Sequence, residues 1–201
     1  MQLKIQGLNR LRNAARFEIL LVDRHRFASH TGKAGFSRAV TATNPILHQA
    51  GVLAYRILDG KVQVLLMTSR DTGRWIIPKG NINGGATPAK AAEKEAYEEA
   101  GVKGTIASSI PLGIYTYFKK LGSGETHAAA VEVYLLRVKE QLKKWPEKGQ
   151  RKLSWMSTKQ AVELIEEPGV VPLLRRLMEF EDELPKLARK RSSEPRPKGR
   201  T

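Results

Sequence analysis

Residues 78–102 read PKGNINGGATPAKAAEKEAYEEAGV. A glycine-rich run leads into a stretch that reads as a helix over 88–100, opened by Thr87-Pro88 and closed by Gly101. Threonine is a good N-cap, because its hydroxyl accepts a bond from an otherwise unpaired N–H of the first turn. Proline is tolerated at the first helical position, where its missing N–H is not needed. Glycine just past the last turn takes the left-handed conformation that closes a helix. Ala89, Ala92, Ala96 and Ala100 recur at steps of three and four, which predicts a small-residue face able to lie close on a sheet. Glu95, Glu98 and Glu99 stand at i, i+3 and i+4 and share another face. Like charges at that spacing repel by a few tenths of a kcal/mol per pair when exposed. Lys90 and Lys94 can offset this as ordinary surface pairs, so an isolated E-x-x-E-E reads first as a solvated face.

A hard divalent cation changes that reading. Mg²⁺ prefers oxygen ligands and grips substrate phosphates while keeping several waters. Converging carboxylates supply such ligands, and the ion removes their repulsion. The preceding loop supplies the other half: Gly80, Gly84 and Gly85 permit backbone conformations closed to other residues, so a phosphate chain can approach. Arg70, Arg74 and Lys79 stand beside it as cations.

Outward from this stretch, Gln49–Leu58 and Val62–Ser69 are apolar runs parted by Asp59-Gly60, a hairpin signal. Trp75–Ile77 reads as a short third strand stopped by Pro78, with Trp75 in the core. Ile106–Tyr117, His127–Val138 and Lys152–Trp155 read as further strands, and Ser157–Glu166 as a helix broken by Pro168-Gly169. A last helix starts at Pro172 and turns Leu173, Leu174, Leu177 and Met178 inward. Strands, helix, strands, helices predict an α/β protein whose mixed sheet is covered on both sides.

The 201 residues suit one domain with tails, and the domain is expected over 45–183. Of the net charge of +15, most sits at the ends: residues 1–44 hold eight Lys/Arg against two Asp/Glu, and 186–201 hold seven against one. Both segments, 1–44 and 184–201, are expected to be poorly ordered extensions able to contact nucleic acid or another polyanion non-specifically. The first could also be read as a targeting segment, but it has no continuous apolar stretch for secretion. No apolar run approaches the roughly 18 residues of a membrane span. The absence of cysteine excludes disulfides, thiolate metal sites and cysteine nucleophiles, and it fits the cytoplasm, where the chain is expected to reside.

The stretch from Gly80 to Val102 resembles the Nudix hydrolases, whose box is G-x5-E-x7-R-E-U-x-E-E-x-G-U, U being a bulky aliphatic. Gly80 begins it, Lys94-Glu95 take the R-E positions, Glu98-Glu99 match the acidic pair, and Gly101-Val102 close it. The resemblance covers most of residues 45–180. It implies an α/β/α sandwich, Mg²⁺ or Mn²⁺, and hydrolysis of a nucleoside or other diphosphate linked to a second moiety. Three positions depart: Ala86 for the first Glu, Lys94 for the Arg, and Ala96 for the aliphatic. In the family that Glu and Arg brace the loop against the helix, so the resemblance implies a looser brace here with the metal carboxylates retained.

The carried-over metal and catalytic residues are Glu95, Glu98 and Glu99, with Gly80 as a further ligand. Glu147, in Trp145-Pro146-Glu147, is the accessory carboxylate candidate, ahead of Glu125 and Glu140. Residues 68–80 and 145–155 look like those of the diadenosine polyphosphate and diphosphoinositol polyphosphate hydrolases, so Arg70, Arg74, Lys79, Arg151 and Lys152 are expected on a polyphosphate. His127 matches a His of the diphosphoinositol members, but Glu125 and Thr126 replace the basic residues before it there, which favours a dinucleoside polyphosphate substrate. The alternatives are an inositol pyrophosphate hydrolase, an enzyme removing pyrophosphate from RNA 5′ ends, and a catalytically weakened binding module.

Overall fold

The structure, a computed structural model, describes residues 45–186. The expectations for residues 1–44, and for the basic tail from 187 onward, lie outside the described residues. Strand β1 (Leu47–Leu58) and strand β2 (Lys61–Thr68) form an antiparallel hairpin. Asp59 and Gly60 turn it with φ of 51° and 75°, the doubly left-handed backbone that suits the twist of a two-residue hairpin. Strand β3 (Trp75–Ile76) pairs with β2. Strand β4 (Lys79–Asn81) was not expected: it lies within the glycine-rich stretch and pairs antiparallel with Gln49–Gly51 of β1. A Gln49 Nε2 bond to Asn81 Oδ1, at 2.8 Å, fastens the pairing.

Helix α1 (Pro88–Ala100) runs over the expected residues, with Thr87 capping Lys90 N and Gly101 in the left-handed conformation, φ 66°. The single strand expected over Ile106–Tyr117 is two, β5 (Val102–Ile106) and β6 (Gly113–Lys120). Pro111, which has no N–H for a ladder, lies in the break. Both pair antiparallel with β7 (Thr126–Gln141), whose 16 residues take them end to end. Strand β7 runs parallel to β1, and β8 (Leu153–Met156) closes on β2. The sheet is therefore mixed, in the order β3-β2-β1-β7-β5 with β4, β6 and β8 attached to its members.

Alternation along β1 divides the core. Leu53 and Tyr55 face Val131, Val133, Leu173, Leu174 and Leu177. Ala50, Val52 and Ala54 face Ala91, Ala92, Ala96 and Ala100 of α1. Helix α2 (Thr158–Leu164) opens with a capping box in which Ser157 and Gln160 satisfy each other's backbone. A 3-10 turn (Pro168–Val170) then leads into α3 (Val171–Met178). Leu173, Leu174 and Leu177 are buried as expected, whereas Met178 faces outward and is 39% exposed. No described helix is long and apolar enough to cross a membrane.

Alanine against alanine explains Ala96. It is fully buried on a sheet face that itself offers Ala50 and Ala54, so the helix lies too close for a larger side chain. Ala96→Leu, although it restores a bulky aliphatic, is expected to destabilise the protein by about 1–3 kcal/mol through overpacking. A urea titration checks this; a variant as stable as the parent would show that α1 has room.

Candidate active site

The glycine stretch and α1 meet at two carboxylates. Glu99 is buried, and its Oε2 accepts the Lys79 N–H at 2.9 Å. Helix and loop are thus joined by a side chain on one and a backbone group on the other. Glu95, one turn earlier, lies over Gly80, where an added Cβ would overlap its carboxylate. That close approach is why position 80 carries no side chain. Glu98 turns outward and pairs with Lys94 at 2.5 Å. The three acids therefore diverge from the shared face that their spacing implied: one inward, one over the loop, one toward solvent.

The loop between β7 and β8 supplies the rest. An added Cβ on Gly101 would overlap the Trp145 ring, so the indole sits directly on the helix cap. From that anchor Glu147 N–H donates to Glu98 O at 3.0 Å. Arg151 then reaches inward, its Nη2 donating to Glu99 Oε1, its Nε to Glu147 Oε2 at 3.2 Å and its Nη1 to Thr68 O at 3.3 Å. Its side chain is 6% exposed. Glu147 is thus at the site. Glu125 instead contacts His127 Nε2 at 3.4 Å in the turn before β7, and Glu140 stands exposed opposite Lys103 near the end of β7.

The other expected cations are spread out. The Lys79 side chain is 8% exposed and paired with Glu167 at 2.6 Å, under the Tyr117 ring. Arg70 is exposed and lies 3.6 Å from Glu147. Arg74 bonds Thr72 Oγ1 at 2.9 Å from the exposed loop 69–74, and Lys152 is held by its backbone to Thr68 Oγ1 at 3.0 Å. Trp75 is half-buried against the core, as expected for a core residue.

A polar row beside Lys79 went unforeseen. Tyr115 OH donates to Glu167 Oε1 at 3.2 Å, and Tyr117 OH donates to Gln49 Oε1 at 2.8 Å. Gln49 hides inside an apolar run and Glu167 sits at a helix stop, so no spacing signal marks either one. Tyr117 has one hint, its period-two spacing from Tyr115 on the same strand.

Burial raises the Glu99 carboxyl to about 7, against the pull of Arg151 and the Lys79 N–H and with the help of the Glu95 and Glu147 charges. Burial also raises Glu95, with Lys94 opposing and Glu98 and Glu147 adding. No group of three or more His, Asp or Glu side chains among the described residues forms a metal cage. Mg²⁺ does not require one, since it is commonly held by one or two carboxylates together with waters and substrate phosphates. Glu95 and Glu99, both disfavoured as bare charges, and the side-chain-free approach at Gly80 fit such an ion.

A proton on Glu99 competes with a cation. Mn²⁺ affinity is therefore expected to rise with pH up to about 7, by about tenfold per unit at most, and to flatten above it. The cation-free fold has the opposite dependence. Because the folded-state value lies above the ordinary 4.5, Glu99 contributes most to stability below 4.5 and loses that contribution as pH rises through about 7. Mn²⁺ titrations and thermal melts at pH 5, 6 and 8 check both signs; equal Mn²⁺ affinity at pH 6 and 8 would remove Glu99 from the ligand set.

A mixed sheet between two helical layers, with the Glu95 and Glu99 carboxylates set beside a glycine loop, defines an α/β sandwich protein. The family model described as the NUDIX domain matches residues 47–179, and the chain belongs to the Nudix family. Among its relatives, "Nudix hydrolase 13, mitochondrial" of Arabidopsis thaliana is 36% identical over 111 residues, 53% of this chain and 54% of that protein. "Diphosphoinositol polyphosphate phosphohydrolase 2" of Rattus norvegicus is 30% identical over 120 residues, 59% of this chain and 62% of that one. The match thus spans about half the length of the Arabidopsis relative. A solved C. elegans Ap4A hydrolase binary complex superposes with TM-score 0.52 at 24% identity, covering 67% of this chain and 97% of that one, and shares the fold.

Proposed function

We propose that the chain is a divalent-cation-dependent pyrophosphohydrolase that cleaves a phosphoanhydride bond in a nucleoside polyphosphate, a dinucleoside polyphosphate in particular. The observation that carries this is the buried Glu99 carboxylate bonded to the backbone of the glycine stretch, with Glu95 lying over Gly80. Glu95 and Glu99, with Gly80 as a backbone ligand and Glu98 on the rim, would hold Mg²⁺ or Mn²⁺, which would neutralise phosphoryl charge and make a bound water more acidic. The attacking water passes its proton to one of Glu95, Glu98, Glu99 or Glu147. The glycine backbone admits the phosphate chain. Arg70, 3.6 Å from Glu147, and the exposed Arg74 and Lys152 are the cations left for the phosphates, charge-assisted contacts being among the stronger hydrogen bonds.

One observation favours a second reading. The 30% identical relatives carry the name diphosphoinositol polyphosphate phosphohydrolase. Against it, Glu125 places an acid 3.4 Å from His127, an unfavourable neighbour for a heavily phosphorylated ring. Purified full-length protein with Mg²⁺, offered diadenosine polyphosphates, inositol pyrophosphates and 5′-triphosphate RNA with products identified, decides between them. Faster turnover of the inositol pyrophosphates would overturn the first choice, and no turnover of any would leave a binding module. The proposed compartment is the cytoplasm; the Arabidopsis relatives carry "mitochondrial" in their names, and fractionation of cells expressing the full chain tests it.

A further inference from the structure

We propose that Arg151, from outside the Nudix box, is the positioning residue that fixes Glu99 against the glycine stretch. This rests on the functional reading above for its catalytic consequence, but not for its geometry. Within the box nothing does the work: Lys94 is 64% exposed and spends its charge on Glu98, and Ala86 has no polar side chain. Arg151 is buried where Lys94 is not. Its three bonds tie together α1 through Glu99, the β7–β8 loop through Glu147, and the end of β2 through the Thr68 carbonyl.

The geometry needs an arginine. A planar guanidinium presents several donors in a fixed fork and can serve two carboxylates at once, whereas an ammonium is a point charge on a flexible stem. One oxygen of Glu99 takes Arg151 and the other takes Lys79 N–H. The carboxylate is therefore clamped from both ends, with each oxygen keeping a lone pair for a further partner. Trp145 on Gly101 and Glu147 N–H on Glu98 O hold the loop that carries the arginine. Helix, glycine stretch and β7–β8 loop become one unit through Glu99. Arg151, expected on the phosphates from sequence, spends three of its five N–H donors on protein oxygens.

The test uses the full chain with Arg151→Gln and Arg151→Lys. The first readout needs neither cation nor substrate: hydrogen exchange of the Lys79 amide, which depends on where Glu99 points. In Arg151→Gln it is expected to quicken about tenfold while the Val131 and Val133 amides keep their rates. The second readout is kinetic, on a dinucleoside polyphosphate with Mg²⁺: kcat falls about 100-fold, as a carboxylate displaced by about an ångström implies, and KM stays within about threefold. Arg151→Lys, which keeps the charge and can hold one carboxylate, falls between; it carries the test if Arg151→Gln fails to fold. An unchanged Lys79 amide in a folded variant would overturn the proposal. So would a raised KM with kcat kept, which would put Arg151 on the substrate. If the parent turns over no polyphosphate while the amide result holds, the functional reading fails and the positioning stands.

Discussion

Glu95→Gln is expected to lower turnover by roughly 10²- to 10³-fold while leaving the cation-free protein at least as stable as the parent. The two effects have one cause. Glu95 is half-buried, burial disfavours its charge, and it has no hydrogen-bond or ion-pair partner among the described residues. Glutamine keeps the shape and removes a charge that the fold holds at a cost. The same charge is what a divalent ion needs, so the stability gain and the activity loss are linked. An ordinary structural carboxylate would behave in reverse. Kinetics with Mg²⁺ and melts in chelator at pH 8 check the pair; a variant that is less stable and fully active would mean that Glu95 only supports the fold.

Gly80→Ala should separate activity from stability in a different way. A Cβ there overlaps the Glu95 carboxylate, the far end of a flexible side chain, and no left-handed backbone is required at position 80. The side chain can swing aside, so the stability change is expected to stay under about 1 kcal/mol. Yet the swing removes Glu95 from the glycine stretch, and turnover should fall about 100-fold because the donor is misplaced rather than deleted. Cation affinity should weaken in step. If Gly80→Ala keeps full activity, the close approach of Glu95 to the loop has no part in the chemistry.

Much of the fold was legible in the sequence. Helix α1 was readable to its ends, because Thr87, Pro88 and Gly101 are caps whose chemistry is local. The hairpin at Asp59-Gly60 was readable for the same reason. Strand β4 was not, since a three-residue strand is made by the partner it lies on, Gln49–Gly51, and not by its own residues. The split of the expected strand at Pro111 depended likewise on how much of β7 was available for pairing.

At the site, spacing named the acids but not their directions. Whether a glutamate turns inward depends on what waits there: Lys79 N–H and Arg151 for Glu99, nothing comparable for Glu98 beyond an exposed Lys94. Lys79 shows the converse. Its position beside the loop was evident, but its engagement by Glu167, 88 residues further on, is a tertiary fact with no local trace. Arg151 and Glu147 were recognisable as charged residues near a tryptophan. Their convergence on the helix follows from Trp145 fitting the bare surface of Gly101.

Calorimetric titration of Mg²⁺ into the full chain, with and without a non-hydrolysable dinucleoside polyphosphate, tests the central claim most directly when repeated on Glu95→Gln and Glu99→Gln. The account predicts cation uptake that the polyphosphate strengthens in the parent and that either variant loses. Equal uptake in the parent and both variants, or none in the parent with the polyphosphate present, would contradict it.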